Sequence, residues 1–457
     1  MVLRNDLEMT QDLKDTAEYV VHRARAKGAS DADTFIREDE NFEVTVRKGD
    51  VETLKESVSR GLRLRIFAGK RTATSQTSDL SPSVLDALVD ETVEMAQLTS
   101  EDESGGLPEI TANASDLPDL QLVDTTWNDF TPEQRIDWAR RAEAAAMKAD
   151  SRITNSEGGS FNYERSRTVL ANTRGFLSSY EGTGGYVVST PVARSPEGMQ
   201  RDYWVSVARF RSELESPESV GQRAAARTLR RLGARKVRTC EVPVIFDPLT
   251  ARTIVNHVFQ ACAGDAVYRR SSFLIDQIGK KVAASHLTIV DNARLIRGLG
   301  SSPFDDEGVP TQVTPIIENG ILQNYLHSSY TARKLKARPT GNGTRTGAGS
   351  ISVGPTNFYL MAGTTSPEDM IASVKSGFYV FELIGHGVNA VTGDYSRGAV
   401  GLWIENGKLS FPVQEVTIAG NLRQMLNDIE VVGNDPAFLG SVSAPTMKVS
   451  NMVISGE

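Results

Sequence analysis

The alternation of apolar and polar residues divides the chain into helical and strand-forming stretches. Apolar residues recur at helical spacing over 13–24, Thr10 is placed to cap that helix, and Gly28 is placed to end it. Strict alternation over 42–46 and again over 62–66 then predicts two strands joined through a turn. The chain therefore opens with a small unit that contains one helix followed by paired strands.

Caps that contain proline predict three more helices in the first half. Ser81-Pro82, Thr131-Pro132 and Ser216-Pro217 each place a capping hydroxyl before a proline at the first helical position. Residues 101–133 hold nine acidic residues and no basic one, which predicts a linker or surface loop. A β-rich stretch follows the second of these caps, and its glycines at 182–185 predict a turn.

The last part of the chain begins with an apolar strand over 242–246 and a helix over 249–264. Strands dominate after that, and Asn319-Gly320 and Asn406-Gly407 each predict a tight hairpin, because both central residues of such a turn need positive φ. We predict an α+β protein with an N-terminal α/β half and a mostly antiparallel β domain. The expected domains are 1–100, 101–233 and 234–457.

Composition restricts the chemistry that the chain can perform. The chain has 457 residues, a net charge of −8, two cysteines and five histidines. Two cysteines cannot build a disulfide framework, so the chain is expected in the cytoplasm, and the acidic balance argues against a nucleic-acid partner. No apolar run is long enough to predict a membrane span, and no signal peptide is visible. Any imidazole metal site must draw on the five histidines.

Familiar catalytic motifs are missing from the sequence. No His is followed by Glu, no Gly-x-Ser-x-Gly elbow occurs, and no Gly-Lys pair precedes Ser or Thr. His257 and Cys262 share the predicted helix, but a spacing of five residues separates them by about 140° on a regular helix. A buried thiol and a surface imidazole are the favoured interpretation.

Several polar segments are candidates for a binding role. The acidic run at 305–307 is favoured as a hydrogen-bonded turn over a cation site, because adjacent residues of extended chain point to opposite faces. The seven cations between Arg223 and Arg238 are favoured as a solvated face or an interdomain contact over a nucleic-acid site. The glycine-rich stretch at 341–349 is favoured as a flexible loop or turn over a loop that cradles phosphate, because it neither follows a clear strand nor opens a capped helix. The stretch at 385–398 either lines a substrate cleft or forms a tight β connection.

These segments make the sequence recognisable. It resembles the PmbA/TldE branch of the TldD/PmbA family of metallopeptidases. The resemblance is carried, in order, by residues 264–274 (Gly-Asp-Ala-Val-Tyr-Arg-Arg-Ser-Ser-Phe-Leu), 298–308, 328–335, 391–398, 417–422 and 432–435. The N-terminal half fits the family more loosely, in length and order of elements.

The chain departs from the catalytic TldD branch where that branch binds zinc. TldD carries His-Glu-x-x-x-His on a helix and a Cys near the C-terminus. Aligning that motif through Gly264-Asp265 places Val255, Asn256 and Gln260 at the His, Glu and His positions. His257 is out of register, and residues 438–445 contain no Cys. The resemblance thus implies a helix at a degenerate metal-motif position, with no catalytic or metal-ligating residue in this chain.

The resemblance implies a role within an assembly. We expect no cofactor in this chain, a zinc-bearing TldD-like partner in a hetero-oligomer, and peptides or unfolded small proteins as substrates. Peptides bound as an added strand would contact the glycine-rich segments. The predicted contact residues are Gly341, Gly343, Gly347, Gly385, His386, Gly387, Asp394, Tyr395 and Arg397.

Two other interpretations remain open from the sequence. The chain is alternatively an autonomous metallopeptidase that uses other ligands, such as His257, His286 and Asp305. It is alternatively a homodimeric peptide-binding or regulatory protein without catalysis. The three interpretations differ in whether the chain binds metal and whether it needs a partner.

Overall fold

The structure, a computed structural model, describes residues 2–109, 113–347 and 349–456. Its first half is one antiparallel sheet with helices on one face. The helices are α1 (Val2–Ala26), α2 (Pro82–Leu98), α3 (Pro132–Lys148) and α4 (Pro217–Leu229). The strands are β1 (Asp31–Arg47), β2 (Asp50–Ala68), β3 (Arg71–Thr77), β4 (Ile153–Asn172), β5 (Leu177–Ser195), β6 (Gly198–Arg201) and β7 (Trp204–Ala208). The strand order is β3-β2-β1-β4-β5-β6, and β7 also pairs with β5.

The two faces of this sheet bury different partners. Even-numbered residues of β1, such as Ile36 and Val44, are buried in the clusters that contain the helices. Odd-numbered Phe35 instead joins a small cluster with Phe304, which belongs to the second half of the chain. Because side chains alternate between faces along a strand, one face packs on the helices and the other on the C-terminal half.

The second half is mostly β structure built around one helix. Its helices are α5 (Pro248–Cys262), α6 (Gly264–Tyr268), α7 (Ser329–Leu335), α8 (Pro367–Ala372) and α9 (Leu422–Asn427). Its strands are β8 (Cys240–Phe246), β9 (Ile289–Asn292), β10 (Val313–Glu318), β11 (Ile321–Leu322), β12 (Gly343–Thr346), β13 (Ser350–Val353), β14 (Phe358–Leu360), β15 (Ser376–Ile384), β16 (Asp394–Glu405), β17 (Lys408–Asn421), β18 (Ile429–Val432), β19 (Val442–Ser443) and β20 (Met447–Ser455).

These strands form three sheets. One has the order β17-β16-β15-β8-β20-β18 and closes on itself, since β17 also pairs with β20. A second has the order β11-β10-β9-β14-β19, and β12 pairs with β13 alone. Parallel pairing occurs between β15 and β8 and between β14 and β19, and the other named pairs are antiparallel. The predicted α+β class and mostly antiparallel second half are confirmed.

Local signals located most element ends. Thr131 caps α3 in a complete capping box, and Ser216 caps α4. Asn319 and Asn406 have φ of 51° and 50°, as the predicted hairpin turns require. Thr10 was expected to cap the first helix, and this prediction is wrong. It lies inside α1, and its hydroxyl donates a hydrogen bond to Glu181 Oε1 at 3.1 Å.

A buried ionic network joins the two halves of the chain. Asp33 on β1 accepts from its cross-strand neighbour Arg65, whose Nε lies 3.0 Å from Oδ2. Asp33 Oδ1 also accepts from Arg345 Nη2 of β12 at 2.6 Å, and Arg65 Nη1 lies 3.2 Å from Glu307 Oε1. Burial alone would raise the pKa of Asp33, but Arg345 and Arg65 outweigh it and lower that pKa.

We predict that Asp33→Asn lowers the free energy of unfolding by about 3–5 kcal/mol, because it leaves two buried guanidiniums without their shared carboxylate. Urea denaturation measures this loss. Asp90→Asn is the matched control, because the Asp90 carboxylate pairs with Lys27 at 2.7 Å on the surface and is expected to contribute about 0–1 kcal/mol. Equal losses in the two variants would show that the network does not hold the halves together.

Candidate functional site

Helix α5 occupies the position where the resemblance places the degenerate metal motif. Asp247 caps it by accepting from the Thr250 N–H at 3.0 Å, and Pro248 stands at its first position. Its apolar residues face the largest core cluster of the second half, which includes Val255 and Cys262. The helix is therefore fixed by packing along one side, while its other side reaches the surface.

The three motif positions do not converge on one point. The Val255 side chain is only 2% exposed and belongs to the core cluster, whereas Gln260 is exposed and Asn256 is half-buried. Val255 has no donor atom, and neither amide is a preferred zinc ligand. The residues at these positions do not fit a zinc ion.

The His257 side chain faces Tyr395, one of the predicted contact residues in segment 385–398. Its ring lies 6.3 Å from the Tyr395 ring in an edge-to-face arrangement, and its Nδ1 lies 3.3 Å from Gln260 Oε1. Burial lowers the pKa of His257, the contact with Gln260 raises it, and the charge of Arg397 lowers it, with a net decrease. A neutral imidazole near pH 7 follows from this balance.

A small cavity lies where α5 meets the segment 385–398. Its volume is about 200 Å³. Two of the predicted contact residues, His386 and Arg397, line it together with His257 and Gln260. Apolar side chains complete its wall: Phe273, Val388, Ala390 and Leu422. The structure thus brings part of the predicted glycine-rich segment to the helix of the degenerate motif.

The other residues predicted in segment 385–398 have varied positions. Gly385 and Gly387 are exposed, and the Gly387 carbonyl accepts from the Ser396 N–H at 2.7 Å, which folds the segment back on itself. Tyr395 is buried beside His257, and burial raises its pKa. Asp394 is exposed, accepts from Asn421 Nδ2 at 3.0 Å and Thr392 Oγ1 at 2.6 Å, and is not among the residues that line the cavity.

The glycines predicted at 341–349 lie elsewhere. Gly341 and Gly343 are buried, and a Cβ at Gly343 would stand 2.9 Å from both Asp305 Oδ2 and Glu307 Oε2. Gly347 is exposed at the turn between β12 and β13. None of the three lines the small cavity. Gly343 allows close packing on the acidic run, and Gly341 allows close packing on the backbone of Pro310 and Thr311.

The acidic run at 305–307 forms hydrogen bonds to the main chain. Asp305 accepts from the N–H groups of Gly343, Glu307 and Val309 at 2.8–3.0 Å. Glu307 Oε2 accepts from the Ser329 N–H at 2.7 Å. Burial and the nearby charge of Glu307 raise the pKa of Asp305, so Asp305 holds a proton more readily than an isolated carboxyl group. The favoured hydrogen-bonded turn agrees with these contacts.

The remaining potential ligands are dispersed. Cys262 is fully buried, and burial raises the pKa of its thiol. His286 is exposed on a loop, whereas Asp305 is buried and accepts hydrogen bonds from main-chain N–H groups of the second half. Within the part of the chain that the structure describes, no group of three or more His, Cys, Asp or Glu residues is suited to hold a metal ion. The ligand set His257, His286 and Asp305 does not assemble there.

The basic stretch at 223–238 contacts the second half of the chain. The Arg230 guanidinium carbon lies 3.9 Å from the Phe381 ring centroid, and that of Arg235 lies 3.6 Å from the Phe411 centroid. Arg231 pairs with Glu382 at 2.5 Å. These contacts agree with the favoured interdomain role of the stretch. The sequence did not single out Arg252, which is the only Lys, Arg, Asp or Glu in α5. It lies near Arg231 and Glu382.

Comparison with known proteins identifies the family. Models of the PmbA/TldA metallopeptidase domain 1, central domain and C-terminal domain match residues 32–96, 126–232 and 239–456. Metalloprotease PmbA of Escherichia coli O157:H7 is 39% identical over 433 residues, which is 94% of each chain. The chain belongs to the PmbA/TldE branch of the PmbA/TldD metallopeptidase family.

Two further matches extend over nearly the whole chain. The Metalloprotease PmbA homolog of Haemophilus influenzae is 35% identical over 98% of this chain and 96% of its own. The crystal structure of TldE from Thermococcus kodakarensis has a TM-score of 0.88 at 21% identity, over 96% of this chain and all of the other, and shows the same fold. Among the residues that the structure describes, no helix is both long and apolar enough to cross a membrane.

His327, which packs beside the start of α6, gives the region a pH dependence. Burial lowers its pKa from 6.5 to about 4. Between these values the unfolded chain binds a proton that the folded chain does not, so stability falls as pH decreases through this range. When the pH is lowered from 7.5 to 4, we expect the free energy of unfolding of the wild-type protein to fall by about 3 kcal/mol more than that of His327→Gln.

Urea denaturation at a series of pH values tests this expectation. The variant His22→Gln is the matched control, because His22 is exposed, and it should follow the wild-type pH dependence. A constant difference between wild type and His327→Gln across the series would contradict the expectation.

Proposed function

We propose that this chain is the subunit without metal in a TldD/TldE-type peptidase assembly, whose TldD-like partner carries the zinc. The assembly acts in the cytoplasm on peptides and unfolded small proteins. The observation that carries the proposal is the replacement of the two His ligands and the Glu general base of the TldD motif on α5 by Val255, Gln260 and Asn256. Zinc hydrolysis needs about three protein ligands and an open position for water.

The packing of α5 supports the same proposal. The buried Val255 side chain makes this face of the helix part of the apolar core, so the position could not accept a polar ligand without repacking. His257 is directed to Tyr395 and Gln260 rather than to other donors. The helix keeps its place in the fold while its chemistry has changed, which suits a subunit that binds or positions substrate.

Reconstitution tests the proposal. We expect no peptide hydrolysis by this chain alone, and hydrolysis by its mixture with a His-Glu-x-x-x-His partner from the same organism. The substrate is an unfolded small protein, and cleavage is followed by mass spectrometry. As a control, His286→Ala in this chain should leave the mixture active within about twofold, because His286 is exposed and lies outside the small cavity. Hydrolysis by the isolated chain, abolished by His257→Ala, would contradict the proposal.

We further propose that segment 385–398 contacts the bound peptide. Its exposed backbone around Gly385 and Gly387 leaves main-chain groups available for strand-like hydrogen bonds. A photo-crosslinking residue at His386 should label a bound peptide in the assembled complex. The same residue at Leu98, whose side chain is 87% exposed on α2, should not label it. Equal labelling from both positions, or labelling from Leu98 alone, would exclude this contact.

A further inference from the structure

A large cleft lies between the two halves of the chain. It has a volume of about 540 Å³. One wall is formed by strands and the end of α4 from the first half, and the other by α5, β15 and β16. A cleft of this size accommodates several residues of an extended peptide or a small organic ligand.

Charged side chains dominate the lining of this cleft. Five guanidiniums meet three carboxylates there: Arg201, Arg227, Arg231, Arg252 and Arg397 against Glu157, Asp202 and Glu382. Arginine outnumbers the acids by two, although the chain as a whole is acidic. The cleft is therefore a local positive site on a negative protein.

Three of the arginines are neutralised by acids within the cleft. Arg201 pairs with Glu157 at 2.5 Å, and Arg231 pairs with Glu382 at the same distance. Asp202 lies 3.5 Å from Arg227. These pairs account for all the carboxylates of the lining, so they leave two arginines to supply the excess charge.

Arg252 and Arg397 are the two arginines without an acid. No carboxylate of the described residues lies within ion-pair distance of either guanidinium. Arg397 donates one long hydrogen bond, from Nη2 to the Leu383 carbonyl at 3.4 Å, and its buried Nε has no hydrogen-bond partner in the described part of the chain. Both side chains are half-buried, where an unpaired cation attracts an anion more strongly than on an open surface.

The buried acids of the cleft are engaged by its arginines. Asp202 is 7% exposed, and its Oδ2 faces Arg227 at 3.5 Å and Arg231 at 3.7 Å. Glu382 Oε2 lies 2.5 Å from Arg231 Nη2. Arg252 and Arg397 are therefore the charged groups of the lining that an anionic group of a ligand can pair with, and a peptide can supply that group as a carboxylate.

The position of Arg397 connects this cleft with the candidate site. Arg397 lines the large cleft and also the small cavity beside His257 and His386. A chain that lies in the cleft with its anion on Arg397 can thus continue along segment 385–398. The surplus of two positive charges suits one or two carboxylates better than a polyphosphate, which would also be repelled by the three acids.

We propose that the cleft binds a carboxylate of the peptide substrate, held between Arg252 and Arg397. The proposal rests on the proposed function for the identity of the ligand as a peptide. The carboxylate is either the C-terminus of the peptide or an acidic side chain, because guanidinium recognises both by the same paired N–H donors.

Calorimetric titration of the full-length chain tests this site with three peptides of one length. The first is an uncharged sequence of Ala, Ser and Thr with a free C-terminus, the second is its C-terminal amide, and the third is the amide with one internal Glu. We expect the first or the third to bind at least about tenfold more tightly than the second, because the contact includes charge-assisted hydrogen bonds. Which of the two binds identifies the source of the carboxylate.

Arg252→Gln and Arg397→Gln should each abolish this preference, and Arg338→Gln is the matched control. Arg338 is exposed and lies outside the cleft. The unfolding midpoint of each variant establishes that it is folded. Equal binding of all three peptides, no binding of any of them, or an unchanged preference in both cleft variants would overturn the proposal. Because the titration uses this chain alone, its failure leaves the reconstitution result unaffected, and the reverse also holds.

Discussion

The Asp33 carboxylate, held between Arg65 and Arg345, is the contact on which the arrangement of the molecule depends. It lies on the face of the first sheet that is turned away from the helices, where alternation places the odd-numbered residues of β1 and β2. Arg345 comes from the second half, and Glu307 extends the network from there. An ionic contact of this kind has strict geometry, so it fixes how the halves meet, whereas the apolar contact around Phe304 alone would tolerate sliding.

That arrangement also affects the charged cleft between the same two halves. The charged cleft takes residues from α4 and from β4 to β6 on one wall and from α5, β15 and β16 on the other. Its width is therefore set by the relative position of the halves. The acidic run at 305–307, favoured from the sequence as a hydrogen-bonded turn over a cation site, accepts hydrogen bonds from main-chain N–H groups within the second half. It reaches the interface through the ion pair of Glu307 with Arg65.

Sequence signals between neighbouring residues predicted the helices and hairpins better than they predicted the binding sites. The capping box at Thr131 and the Asn-Gly hairpins are encoded by neighbouring residues, and the structure confirms both. The turn expected at 182–185 is wrong, because these glycines lie inside β5, where a Cβ at Gly185 would stand 2.7 Å from the Trp127 ring. Glycine there reflects a long-range contact, which a local pattern cannot distinguish from a turn. The charged cleft could not be predicted from the sequence for the same reason, because its lining residues are spread between 157 and 397.

The central claim is that α5 keeps the position of a metal-binding helix without its donors. The most direct test is the zinc content of the purified full-length chain, measured by mass spectrometry after saturation with zinc and extensive dialysis. The account predicts substoichiometric zinc, below about 0.1 ion per chain, since fewer than three ligands do not retain the metal. One zinc ion per chain, lost in His257→Ala, would contradict it.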